Sequence, residues 1–177
     1  MSNISDLDKN FKVETKIKAD DIQFHNVRNA PFKIYGVFHD NGRFRRIPTE
    51  VAKTVNETVL ALHSNTAGGR VRFMTDSPYI AIHAEMAGIL KMEHIPLTGS
   101  GGFDMYMGHD PEIYIKTFVP PYTMTDGYES IFQCGSSAMR EVTINFPTYS
   151  SVLELYVGLK EGSTILPPRE YTIEKPI

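Results

Sequence analysis

The sequence holds one cysteine, Cys134, and no tryptophan. A single cysteine excludes an internal disulfide and any metal site built from several thiolates, so no metal is expected. It also fits a reducing compartment, and the expected location is the cytoplasm. Basic charge is not in excess: 18 Lys and Arg stand against 21 Asp and Glu, for a formal charge of −3 at pH 7. Nucleic-acid binding normally shows as a basic patch or stripe, and none is visible, so no such partner is expected. Long apolar runs are missing as well, which argues against a transmembrane helix and a membrane partner. The opening residues, MSNISDLDKNFKVETKIKADD, lack the apolar stretch of a secretory signal.

What is present is a long series of alternating runs, the pattern of half-buried strands. Val71 and Phe73 alternate with Arg70 and Arg72. Ile80, Ile82, Ala84 and Met86 share a face opposite Tyr79, His83 and Glu85. Phe103, Met105 and Met107 alternate with Asp104 and Tyr106, and Ile113 and Ile115 with Tyr114 and Lys116. Val142, Ile144 and Phe146 alternate with Glu141, Thr143 and Asn145, and Leu153, Leu155, Val157 and Leu159 with Glu154, Tyr156 and Gly158. Gly, Pro, Asn and Asp punctuate the gaps, supplying turn geometry. Only residues 48–55, PTEVAKTV, read as a helix. The expected fold is an all-β, jelly-roll-like antiparallel β-sandwich with one short helix, because no βαβ rhythm is present. The expected sandwich covers residues 29–166. Residues 1–28 read as a tether or edge strand, and 167–177, opening with Pro167-Pro168, as a linker.

Motifs that could carry chemistry are few. The six histidines are scattered, without the HExxH or H-x-H spacing that puts two ligands on one face. The segment QCGSSAM, 133–139, offers Ser136 and Ser137, but no histidine follows to act as base and no helical pattern follows the Gly-Ser step. It reads as a turn, and no catalytic residue is expected. TGSGGF, 98–103, is glycine-rich, yet a strand pattern rather than a helix follows, so it reads as a connection and not a phosphate loop. Glu85 and Asp104 both point away from the apolar face, on strands that could be neighbours. Cross-strand partnership with Arg70, Arg72 or His83 is the expected role of these carboxylates.

Taken together, several segments resemble one family, the β-sandwich domain with a GxDLY motif that precedes the catalytic domain of SGNH (GDSL-like) hydrolases. They are RIPTEVAKTV (46–55), NTAGGRVRF (65–73), TDSPYIAI (75–82), LTGSGGFDMY (97–106) and REVTINFPTYSSVLELYVGL (140–159). Met105 stands where the motif has Leu, a change that conserves volume. The resemblance implies a partner: a catalytic SGNH domain of the same polypeptide. The sequence lacks that domain's serine block, its oxyanion-hole glycine and asparagine, and its late Asp-x-x-His. The resemblance therefore implies a non-catalytic accessory domain of an acyl-ester hydrolase of the carbohydrate-esterase or acetylesterase kind, one that packs on the catalytic domain, shapes one wall of its substrate cleft and needs no cofactor. Within the motif, Gly102 is expected to allow a tight turn, Phe103 and Met105 to anchor in the core, and Asp104 to order the preceding turn by accepting backbone N–H bonds. Asp104, Tyr106, Arg70, Arg72 and His83 are the candidate substrate or interface contacts.

Two other function classes compete. A carbohydrate-binding module would use Tyr106, Tyr114, Tyr122 or Tyr156 as stacking platforms in place of tryptophan. A purely structural or self-associating sandwich would bind no glycan. Fold alone does not choose among them.

Overall fold

The computed structural model describes residues 13–172. Residues 1–12 of the expected tether and 173–177 of the expected linker lie outside the described residues. Alternating side chains build two antiparallel sheets. The four-stranded sheet runs β1 (Ile22–Asn26), β11 (Val152–Lys160), β6 (Tyr79–Met86), β9 (Gly127–Gln133). The six-stranded sheet runs β12 (Ile165–Leu166), β5 (Arg70–Thr75), β10 (Arg140–Asn145), β7 (Phe103–Met107), β8 (Ile113–Phe118), with β2 (Lys33–Tyr35) also paired to β5. A small ribbon joins β3 (Phe38–Asp40) and β4 (Arg43–Arg45).

The inward faces of the two sheets meet in one core. Val71, Phe73, Phe103, Met105, Val142 and Ile144 come from the six-stranded sheet, and Ile80, Ile82, Leu155, Val157 and Leu159 from the four-stranded one; all are fully buried. Each such side chain contributes about 1.5–3 kcal/mol by leaving water. The architecture is an all-β sandwich.

The chain changes sheet at Asp76-Ser77-Pro78, between β5 and β6. Ser77 pins this arch: its buried hydroxyl donates to the Tyr79 carbonyl at 2.6 Å and accepts the Lys160 N–H at 3.0 Å. Arg140 Nη1 donates to its carbonyl at 2.6 Å.

Four expectations need correction. Leu153 does not join the core row of β11; a register shift between Val152 and Glu154 puts Val152 there instead, paired with Met86. Ile113 is 61% exposed, because β8 is an edge strand whose register with β7 shifts between Met105 and Tyr106. Besides the expected helix α1 (Thr49–Val55), two further short helices occur, α2 (Glu57–Leu62) and α3 (Leu97–Gly101). Asn56 caps α2 by accepting the Val59 N–H at 2.9 Å. Finally, Gly102 has φ −80° and ψ 151°, an ordinary extended conformation. It is needed because a Cβ there would stand 2.4 Å from the Thr98 carbonyl oxygen, where α3 folds back on the start of β7.

Candidate functional site

The pairing register places the GxDLY polar residues on the outside of the six-stranded sheet. Asp104 lies opposite Asn145, which lies opposite Arg70; Tyr106 lies opposite Thr143, which lies opposite Arg72. Asn145 therefore separates Asp104 from Arg70, so the expected direct partnership does not form. Asp104 instead accepts the Thr117 hydroxyl of β8 at 2.6 Å, not the backbone N–H groups of the preceding turn. Thr117 also meets the Tyr114 hydroxyl at 3.0 Å, and the Tyr106 and Tyr114 rings pack edge to face at 5.6 Å. Phe103 and Met105 are fully buried beneath this face.

Arg72 has a different partner. It donates to Glu141 of β10, and both side chains are buried although both point outward from the sheet. Tyr171 covers the guanidinium, with its ring centre 4.0 Å from Cζ. Arg169 Nε donates to the second oxygen of Glu141 at 2.8 Å, and His109 Nδ1 lies 3.3 Å from it. Sequence reasoning missed Glu141, His109, Arg169 and Tyr171 as a group. The readable signal was the outward position of Glu141 in an alternating run; the rest depends on loops and on the segment after β12.

His83 stands on the opposite side of the molecule, on the outside of the four-stranded sheet. Its Nδ1 meets Glu129 Oε1 of the neighbouring β9 at 2.8 Å, and its ring contacts Phe24 and Tyr156 edge to face. Glu85 lies on this face too, opposite Glu154. Thus Glu85 and Asp104 occupy opposite outer faces, and the idea of neighbouring strands is overturned. The cause is the arch at 76–78, which carries β6 into the other sheet where a hairpin would have kept it beside β5. The adjacent carboxylates of Glu85 and Glu154 are offset by Arg28, which pairs with Glu154 at 2.9 Å.

One hydroxyl does meet an imidazole: Thr49 Oγ1 lies 3.0 Å from His63 Nε2. His63 Nδ1 donates to the Leu60 carbonyl at 2.6 Å, which leaves Nε2 as the acceptor, and Arg45 Nη1 donates to it at 2.8 Å. The Arg45 guanidinium already occupies the Nε2 lone pair that a general base would use, and a carbonyl rather than a carboxylate orients the ring. This is a buried brace between β4 and the two helices. Ser136 and Ser137 lie in an exposed turn, where Arg140 Nη2 donates to the Ser136 hydroxyl at 3.2 Å. Burial pushes the Cys134 thiol above its ordinary pKa, which disfavours the reactive thiolate. Among the described residues, no three His, Cys, Asp or Glu side chains gather to hold a metal ion, and no helix is long and apolar enough to cross a membrane.

Two sheets with buried inner faces and polar clusters on both outer faces define an antiparallel β-sandwich module. Over residues 22–165 the chain matches the GxDLY family, the N-terminus of esterases of the SGNH-hydrolase type, and it belongs to that family. No curated protein matches it. Among solved structures, it is similar to a protein described as a GDSL-like lipase from Bacteroides ovatus, with TM-score 0.73 and 18% identity. It is also similar to the salicylyl-acyltransferase of a tetracycline biosynthetic pathway, with TM-score 0.64 and 19% identity. A family two carbohydrate esterase from Cellvibrio japonicus follows at TM-score 0.50 and 10% identity, over 84% of this chain and 36% of that one. The first two likenesses cover 84% and 90% of this chain but 44% of each of those proteins, so the chain spans less than half their length.

Proposed function

We propose that this chain is a non-catalytic accessory domain of an SGNH-family acyl-ester hydrolase, packing on a catalytic domain of the same polypeptide and walling part of its substrate cleft. Carbohydrate esters are the substrate class and the cytoplasm the location in this reading. The observation that carries it is the family match, which begins at the first residue of β1 and reaches the first residue of β12. The whole sandwich is thus what the family has in common. Support also comes from the hydroxyl groups weighed above, since neither Thr49 nor the 136–137 turn is arranged for nucleophilic attack.

Two measurements test this. Reading the coding sequence beyond Ile177 should reveal an SGNH serine block, and a sequence without one overturns the accessory role. Purified chain incubated with an aryl acetate should show no turnover above a denatured control. Turnover that disappears in Ser136→Ala or Ser137→Ala would overturn the non-catalytic assignment.

One observation favours a second reading, an independent carbohydrate-binding module. The exposed Tyr114 ring stands beside Tyr106, Thr117 and Asp104, an aromatic surface next to hydrogen-bonding groups. Saturable oligosaccharide binding by the isolated chain, lost in Tyr114→Ala, would favour it over the accessory role.

A further inference from the structure

Outward positions of a sheet are where solvent is expected, yet the side chains of Arg72 and Glu141 are only 1% and 0% exposed. Part of their cover is the segment that follows β12. Pro168 is buried. Arg169 reaches Glu141, and the Tyr171 ring lies on Arg72 while packing edge to face with Tyr35 at 5.1 Å. The Thr172 hydroxyl donates to Asp110 Oδ2 at 3.2 Å. Within 167–172, Arg169, Tyr171 and Thr172 thus make ionic, cation–π, aromatic and hydrogen-bond contacts with β10, β5, β2 and the turn between β7 and β8.

Charge explains why this segment fits its seat. Beneath it, Arg72 faces two carboxylates, Glu141 and Glu112, the latter 3.9 Å from Arg72 Nε and held by the Thr143 hydroxyl at 2.6 Å. The seat alone carries an excess of negative charge, and Arg169 supplies the balancing cation. Pro167 and Pro168 help from the other side. They bring no N–H groups that need partners, and their fixed φ lowers the entropy lost on docking.

We infer that residues 167–172 form a docked strap, seated on the Arg72–Glu141 pair, which fixes the direction the chain takes away from the sandwich. A flexible linker would leave a following domain free to reorient; this strap holds its attachment point against the outer face of the six-stranded sheet. That use of the strap rests on the accessory role proposed above, whereas the docking does not.

Limited proteolysis of the full 177-residue chain tests the docking. Trypsin cuts after Arg169 only when the strap lifts. Tyr171→Ala removes the ring from Arg72 and should speed that cut about tenfold, while Tyr171→Phe keeps the ring and should restore protection. Cuts elsewhere in the sandwich should be unchanged, which shows that the variants are folded. Equal rates in the wild-type chain, in Tyr171→Ala and in a free peptide of residues 165–177 would overturn the inference. Because the assay uses this chain alone, a coding sequence without an SGNH block would remove the accessory role and leave the strap in place.

Discussion

Arg72 and Glu141 meet diagonally across β5 and β10, on the outside of the sandwich, and neither reaches solvent. A buried pair gains Coulomb energy but loses the hydration of both ions, so its net value is small while its members depend strongly on each other.

That dependence gives the first prediction. Glu141→Ala strands a buried guanidinium and should lower stability by about 3–5 kcal/mol in urea denaturation. The double variant Arg72→Met with Glu141→Leu should recover most of the loss, because no charge is then left dry. A double variant as unstable as Glu141→Ala would show that packing, not the stranded charge, sets the cost.

Gly102 is fixed by space rather than by backbone angle. Its missing Cβ admits the Thr98 carbonyl and the Thr117 side chain, whose Cγ2 would stand 2.7 Å from an added methyl. Gly102→Ala should cost about 1–3 kcal/mol, read as a lowered melting temperature. An unchanged melting temperature would mean that α3 shifts freely.

Tyr128 closes the same end of the sandwich from inside. Its buried hydroxyl lies 2.7 Å from the Phe118 carbonyl and 3.1 Å from that of Gly101. Burial pushes its pKa well above the ordinary phenol value, so it remains a donor across the working pH range. Tyr128→Phe leaves buried carbonyls short of a partner and should cost about 1–3 kcal/mol by urea titration.

Acid sensitivity should trace in part to Glu129. Burial opposes its ionisation, but bonds from His83, the Lys16 N–H and Thr15 outweigh burial and hold its pKa below the ordinary value. A carboxyl depressed in the folded state contributes stability above its unfolded pKa and loses it as pH falls through the folded value. Glu129→Gln should therefore lower the melting temperature at about pH 6, with the difference shrinking below about pH 4. A difference that is unchanged down to pH of about 3 would contradict this account.

Legibility in the sequence followed the strength of each local pattern. Phe103 and Met105 alternate with Asp104 and Tyr106 without a break, and β7 and its two faces were readable for that reason. The strand β9 was not, because Ser130 points inward opposite Ile82 while Ile131 points outward opposite Ala81, which reverses the usual polarity. The helix α2 had a readable cap in Asn56, but its six residues hold too few turns for periodicity. The outer faces were legible only as alternation. Which face each strand joined depended on whether Asp76-Ser77-Pro78 formed a hairpin or an arch, and turn residues serve both. The charged cluster around Glu141 joins residues 72, 109, 112, 141 and 169, distances along the chain that no local pattern spans.

The strand β5 carries a last consequence. One of its sides is sealed by β10, while the other is shared by β2, opposite Arg70 to Arg72, and β12, opposite Met74 and Thr75. Two fragments far apart in sequence thus cap a single row of amides in relay. Losing either would bare N–H and C=O groups in register for strand addition by a neighbouring molecule. Trimming the chain before Ile165 would on this basis leave a species prone to edge-to-edge assembly.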